Sequence, residues 1–141
     1  MPNALADAQL SVFRNSFDPT PIRTATLVQI LHAIRTGQHQ SQVERLRQIL
    51  AYDGKPAYDR GKAYLPAATF GGLFRPKRGN AYLTHHSGII HADLDGLTDV
   101  AAAKHALSSD PRIVYVFISP SVLGLKAGIR GPIVADDLAY K

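Results

Sequence analysis

Two aspartates two positions apart, Asp93 and Asp95, stand in the run Ser87-Gly-Ile-Ile-His-Ala-Asp-Leu-Asp-Gly-Leu97. Ile89, Ile90, Ala92 and Leu94 make the run apolar, and Gly88 and Gly96 bound it, which is the pattern of a buried strand. Residues i and i+2 of a strand project to one face. At about 3.3 Å rise per residue their Cα atoms lie roughly 7 Å apart. Two carboxylates on one face of a core strand repel each other and lose hydration, so they call for a cation. Hard divalent ions take oxygen ligands, and two of them about 3.5–4 Å apart suit phosphoryl chemistry. The competing reading is structural: Asp95 ends the strand in a solvated Asp-Gly turn, and Asp93 caps a nearby backbone group. His85, His86 and His91 stand close in sequence. A mixed His/Asp metal site requires His91 on the aspartate face, which holds only if the strand is regular.

A second group is cationic. Arg75, Lys77 and Arg78 surround Pro76 ahead of the Gly79-Asn80 turn. This reads as an exposed loop between strands, either plain solvated charge or a contact to nucleic-acid phosphates.

The elements that must position these groups follow from periodicity. Leu10–Phe13 alternates as a short first strand, and Asp18-Pro-Thr-Pro21 breaks it. Leu27, Ile30, Leu31 and Ile34 form one helical stripe started at Thr24 or Thr26 and ended at Gly37. Ser41 and Glu44 have the spacing of a capping box for a second helix, 42–50, with Arg45 and Arg47 outward. The two helices are expected to form an αα-hairpin that keeps His32 and His39 on its surface. Residues 52–64 carry mixed signals with a turn at Asp53-Gly54-Lys55-Pro56, and 65–70 is extended. Downstream of Gly96, residues 97–107 read as a helix capped near Thr98, 112–118 as a β-branched and aromatic strand, 119–126 as a turn and re-entry, and 127–132 as a last strand. The order strand–helix–strand–strand gives an α+β class with helices over one face of a sheet.

The chain has 141 residues, 45% of them hydrophobic, enough for one globular domain. Its lack of cysteine excludes disulfides, thiol catalysis and zinc–thiolate sites, and fits a cytoplasmic setting. No apolar stretch approaches the ~20 residues of a membrane span, so no membrane partner is expected. The start, Met1-Pro-Asn-Ala-Leu-Ala-Asp7, is not a secretory signal. The net charge of +5 is uneven: residues 1–90 carry 11 Lys+Arg against 5 Asp+Glu, and 91–141 carry 5 against 6. A basic half beside an acidic pair suits a protein that handles polyanions with metal, and a basic domain without a partner is the alternative.

Three blocks stand in order: Lys62-Ala-Tyr-Leu-Pro-Ala-Ala-Thr-Phe-Gly-Gly-Leu-Phe74, the Asp93-x-Asp95 run, and Phe117-Ile-Ser-Pro-Ser-Val-Leu-Gly-Leu-Lys-Ala-Gly-Ile-Arg130. Together they resemble the primase–polymerase superfamily of archaeal and eukaryotic type. The resemblance is closest to the VirE N-terminal-type domains of mobile-element and phage proteins, and it spans about residues 10–135. It implies an antiparallel or mixed RRM-like sheet and a DNA primase or polymerase chemistry with Mg2+ or Mn2+. Asp93 and Asp95 match the metal carboxylates. Ser119, Ser121, Gly124 and Lys126 match the motif that holds the phosphates of a nucleoside triphosphate. Lys62 matches a lysine of unassigned role. Partners implied are a DNA template or primer and a helicase domain or protein.

The pattern is broken twice. Val122 occupies a glycine position, and a β-branched residue resists φ > 0, which predicts a misshapen phosphate loop. The third acidic ligand belongs further downstream than Asp136 and Asp137, which predicts the front part of a larger catalytic unit, or a degenerate relative. Three functions stay open: a nucleotidyltransferase module, a non-catalytic nucleic-acid or nucleotide binding module, and an interaction domain of a replication protein with both aspartates merely solvated.

Overall fold

A computed structural model of the protein describes residues 5–131. Asp136, Asp137 and the end of the expected last strand at Pro132 lie outside the described residues. The class is α+β, with four α-helices and three small antiparallel sheets among the described residues.

The first sheet has the order β2-β1-β3, formed by Gln9–Phe13 (β1), Arg23–Thr26 (β2) and Ala67–Thr69 (β3). Thr26 ends β2 and also caps Leu27–Arg35 (α1): its hydroxyl accepts from Gln29 N, and Gln29 Oε1 accepts from Thr26 N. Gly72–Phe74 (β4) pairs with Leu83–His86 (β5). Buried Ser11 joins these two sheets, because its hydroxyl oxygen accepts from Phe74 N at 2.9 Å.

The third sheet carries the aspartates. Its order is β6-β8-β7, from Ile89–Leu94 (β6), Ile113–Ile118 (β7) and Leu125–Arg130 (β8). Val100–Ser108 (α4) connects β6 to β7 and packs on β7, and β8 returns between them, antiparallel to both. The expected strand–helix–strand–strand order is therefore observed. The cap of α4 is Asp99 rather than Thr98, its carboxylate accepting from Ala102 N. Ser87 links this sheet to the rest: it donates through Oγ to Phe70 O and accepts from Ile89 N.

Two expectations need correction. Among the described residues there is no single sheet with all helices on one face, because the chain turns at Ser87-Gly88 and β5 pairs back on β4 instead of running into β6. The helical hairpin is also displaced along the chain. Gln40–Asp53 (α2) packs against Lys55–Lys62 (α3), around the corner at Gly54. Ser41 lies inside α2 and caps nothing, since the helix starts at His39 and Glu44 receives a hydrogen bond from Gln40.

Candidate functional site

Register fixes the centre of the site. Asp93 on β6 faces Lys126 on β8, and Lys126 faces Phe117 on β7. One row nearer the core, His91 faces Gly128, and Gly128 faces Tyr115. Directly opposed residues share a sheet face, so acid, cation and aromatics project together.

Asp93 Oδ1 accepts from Lys126 Nζ at 2.7 Å and lies 3.3 Å from His91 Nε2. The Asp93 side chain is 51% exposed and that of Lys126 only 22%, so the carboxylate is the more open end of the pair. Partial burial pushes the Asp93 carboxyl up. The Lys126 hydrogen bond and charge, with His91 and Lys62, outweigh it and hold the group below its ordinary value. His91 is more enclosed, and burial pushes its pKa down against the pull of Asp93. It is neutral at pH 7, and one tautomer fits both its contacts: Nε2–H points to Asp93, and Nδ1 accepts from the Tyr115 hydroxyl at 2.6 Å. Phe70 stacks flat on the His91 ring, with centroids 4.6 Å apart, and fixes its plane. Gly128 makes this row possible, because a Cβ there would overlap the Tyr115 ring that crosses β8 to reach His91.

Asp95 lies one residue past β6, at the Asp-Gly turn the structural reading anticipates. It is exposed but not remote from the loop. A Cβ on Gly124 would sit 3.2 Å from Asp95 Oδ1, 3.3 Å from Ser119 Oγ and 2.5 Å from Leu94 O. Glycine at 124 thus lets the turn close against the strand end and brings the carboxylate beside the hydroxyl.

The turn between β7 and β8 is tightly specified. Ser119 is buried; it donates from N to Gly124 O and accepts from Val122 N, both at 3.0 Å. Its hydroxyl shares a 2.9 Å hydrogen bond with that of Ser121, which also accepts from Leu123 N. Val122 adopts φ +68, the conformation a glycine would supply. The resistance of a β-branched residue to φ > 0 is overcome here, with the valine held left-handed within the turn's hydrogen bonds.

The helical pair α2–α3 supplies the far wall, which sequence reasoning did not place. Arg47, expected to face only outward, reaches from α2 to donate through Nε to Pro120 O at 3.1 Å. Tyr58 and Lys62 are one helical turn apart on α3, so they share a face. Tyr58 approaches Ser121, and the charge of Lys62 acts on Asp93. The spacing of these two could be read only once 55–62 was recognised as a helix.

The basic loop divides. Arg75 and Lys77 are exposed, with Lys77 over the Tyr82 ring at 5.2 Å. Arg78 is used internally: its guanidinium lies over Phe13 at 4.9 Å and donates to Ser16 O at 2.8 Å. His85 and His86 belong to β5, on the other side of the Gly88 turn from the aspartates.

Among the described residues no three His, Asp or Glu side chains converge on a common point. Asp93 and Asp95 are the two carboxylates nearest the Ser119–Gly124 turn by register and by the Gly124 approach. A shallow depression on α2, around Ser41, Arg45 and Tyr52, shares no residue with this cluster. No helix among the described residues is long and apolar enough to cross a membrane.

Compared with known proteins, residues 60–137, a little over half of the chain, match the family model of the BT4734-like N-terminal domain. The match takes in the last three residues of α3, the third sheet and the Ser119–Gly124 turn. No curated protein and no solved structure matches.

Proposed function

The chain belongs to the BT4734-like N-terminal domain family, and from that premise we propose that the Asp93–Lys126 end of its third sheet is a divalent-metal and nucleoside-triphosphate site of primase–polymerase type. One observation carries the reading: a carboxylate suited to metal and a lysine suited to phosphate are direct cross-strand partners, at the end of a sheet closed by a hydroxyl-rich turn. The strand order β6-β8-β7, with α4 between β6 and β7, supports the reading, since half of an RRM-like sheet would have that order. 

Asp93 and Asp95 would hold Mg2+ or Mn2+. When bound, two such ions stabilise the attacking and leaving oxygens of an in-line displacement, so no side-chain nucleophile is required. Lys126 would exchange its carboxylate partner for a phosphate oxygen. Ser119 and Ser121 would turn their hydroxyls outward to the phosphates, and Gly124 would keep the turn closed against the strand end. His91 is neutral and pinned by Phe70 and Tyr115, so it orients Asp93 without adding charge. Arg75 and Lys77 are the exposed cations left for a template or primer backbone. A cytoplasmic replication protein working with a helicase is the setting this reading implies.

The test is a calorimetric titration with a deoxynucleoside triphosphate, with and without Mn2+, on wild type and Asp93→Asn. The expected result is metal-dependent binding that the substitution abolishes. Equal binding by both proteins overturns the assignment. A second reading, a binding module without catalysis, is favoured by the position of Asp95 past the end of β6, in the Asp-Gly turn instead of on the strand with Asp93. It predicts nucleotide or single-strand DNA binding with a steep salt dependence, no effect of divalent metal, and no primer extension.

A further inference from the structure

We propose that Tyr58 is a positioning residue of the phosphate turn: it acts through Ser121 and becomes hydrogen-bonded only when an anion occupies the turn. This rests on the reading of Ser119–Gly124 as a phosphate-binding turn. Tyr58 is 4% exposed, and its hydroxyl is buried without a hydrogen-bond partner. Buried tyrosine hydroxyls are normally paired, so an unpaired one at a candidate site calls for an explanation. The group that faces it is Ser121, near enough that its hydroxyl pulls the phenol's pKa down as a hydrogen-bonding neighbour does, though the two oxygens fall short of a formed hydrogen bond. Ser121 is occupied elsewhere, sharing its hydrogen bond with Ser119 Oγ and accepting from Leu123 N.

Three hydroxyls therefore stand in a row, and the two serines satisfy each other. An oxyanion at the turn changes this arrangement. Ser119 and Ser121 can each donate one O–H to anionic oxygens, which dissolves their mutual bond and frees a lone pair on Ser121 Oγ. Tyr58 is the donor placed to take that lone pair. Its phenol keeps the proton this requires, since burial pushes the pKa up despite Ser121, Lys55 and Arg47. Its position is also held from two sides: Arg47 ties α2 to Pro120, and α3 packs on α2. Lys62, on the same face of α3, puts a positive charge near the same cleft. The ligand class is thus a polyphosphate rather than a cation or an apolar group.

The experiment is a calorimetric titration of wild type, Tyr58→Phe, Ser121→Ala and the double variant with inorganic tripolyphosphate and with a deoxynucleoside triphosphate plus Mn2+, alongside thermal melts. Tyr58→Phe is expected to bind both ligands about 3- to 10-fold more weakly, the size of one hydrogen bond. Its melting temperature should stay level or rise, because an unpaired buried hydroxyl is removed. In the Ser121→Ala background the Tyr58 effect should vanish, the non-additivity of residues that act as a unit. Unchanged affinity in Tyr58→Phe, or fully additive losses in the double variant, overturns the proposal while leaving the turn a phosphate site. Absence of wild-type binding to either ligand overturns both readings.

Discussion

Val122 shows how much one residue's backbone can be made to bear. A β-branched side chain in the left-handed region costs about 1–3 kcal/mol, and here it is 43% exposed, so little packing offsets the strain. Glycine would remove the strain but lose roughly 0.5–1 kcal/mol of chain entropy. Val122→Gly should therefore stabilise the protein by about 0.5–2 kcal/mol in chemical denaturation, a balance of those two terms; a loss would show that the valine packs usefully. Gly128 presents the opposite case. Alanine there must displace the Tyr115 ring, and overpacking of this kind costs about 1–3 kcal/mol. Tyr115→Phe keeps the ring and loses only the hydrogen bond to His91, for about 1 kcal/mol, so Gly128→Ala should be the more damaging of the two. Tyr58 gives a pH signature. Its folded pKa is raised by burial, so the unfolded chain loses the proton first. Its contribution is present in full below the ordinary tyrosine value and is lost as pH rises through the folded value. Stability should fall above about pH 10, the ordinary value, and Tyr58→Phe should flatten that fall; an unchanged alkaline slope would place the phenol in a solvent-like environment.

At the scale of elements, strong patterns were legible and weak ones were not. The stripe Leu27–Ile34 with its Thr cap, the aspartate strand and the β-branched strand 112–118 can be read directly, because burial of one face leaves a period in the sequence. Lys55–Lys62 carries no such stripe and contains Pro56 and Gly61, so it reads as a turn. It is a helix because Pro56 lies in its first turn and because packing on α2 outweighs local propensity. The sequence therefore points to the wrong pair for the αα-hairpin, gives no sign of Tyr58, and singles out Lys62 without a role. Asp93, Lys126 and the serine turn could be listed from sequence, but not the pairing of Asp93 with Lys126, which depends on β8 returning between β6 and β7. Leu46 is the apolar anchor of the hairpin, buried on α2 beneath Gly61. Leu46→Ala should cost about 2–4 kcal/mol. It should also weaken triphosphate binding at temperatures where the protein is still folded, because α3 carries the far wall. Intact binding in a destabilised Leu46→Ala would detach α3 from the site.

For the molecule as a whole, the decisive feature is that Asp93 and Lys126, the groups proposed to take metal and phosphate, neutralise each other. The Asp93–Lys126 pair keeps a partly buried charge from standing alone, which would cost more than an exposed one. The same pair opposes each ligand taken singly. A cation at Asp93 must displace Lys126 and leave it unpaired, and a triphosphate at Lys126 must do the same to Asp93. A metal–triphosphate complex satisfies both at once, so the two should bind with positive coupling. Such coupling is typically about 5- to 150-fold and is equal in both directions. Lys126→Met should abolish it in a specific way: Mn2+ alone binds Asp93 more tightly than in wild type, and triphosphate binds more weakly with or without metal. Titrating each ligand at several fixed concentrations of the other measures the coupling directly. If Mn2+ and triphosphate bind wild type independently, the ion pair is surface decoration and the site lies elsewhere on this basic domain.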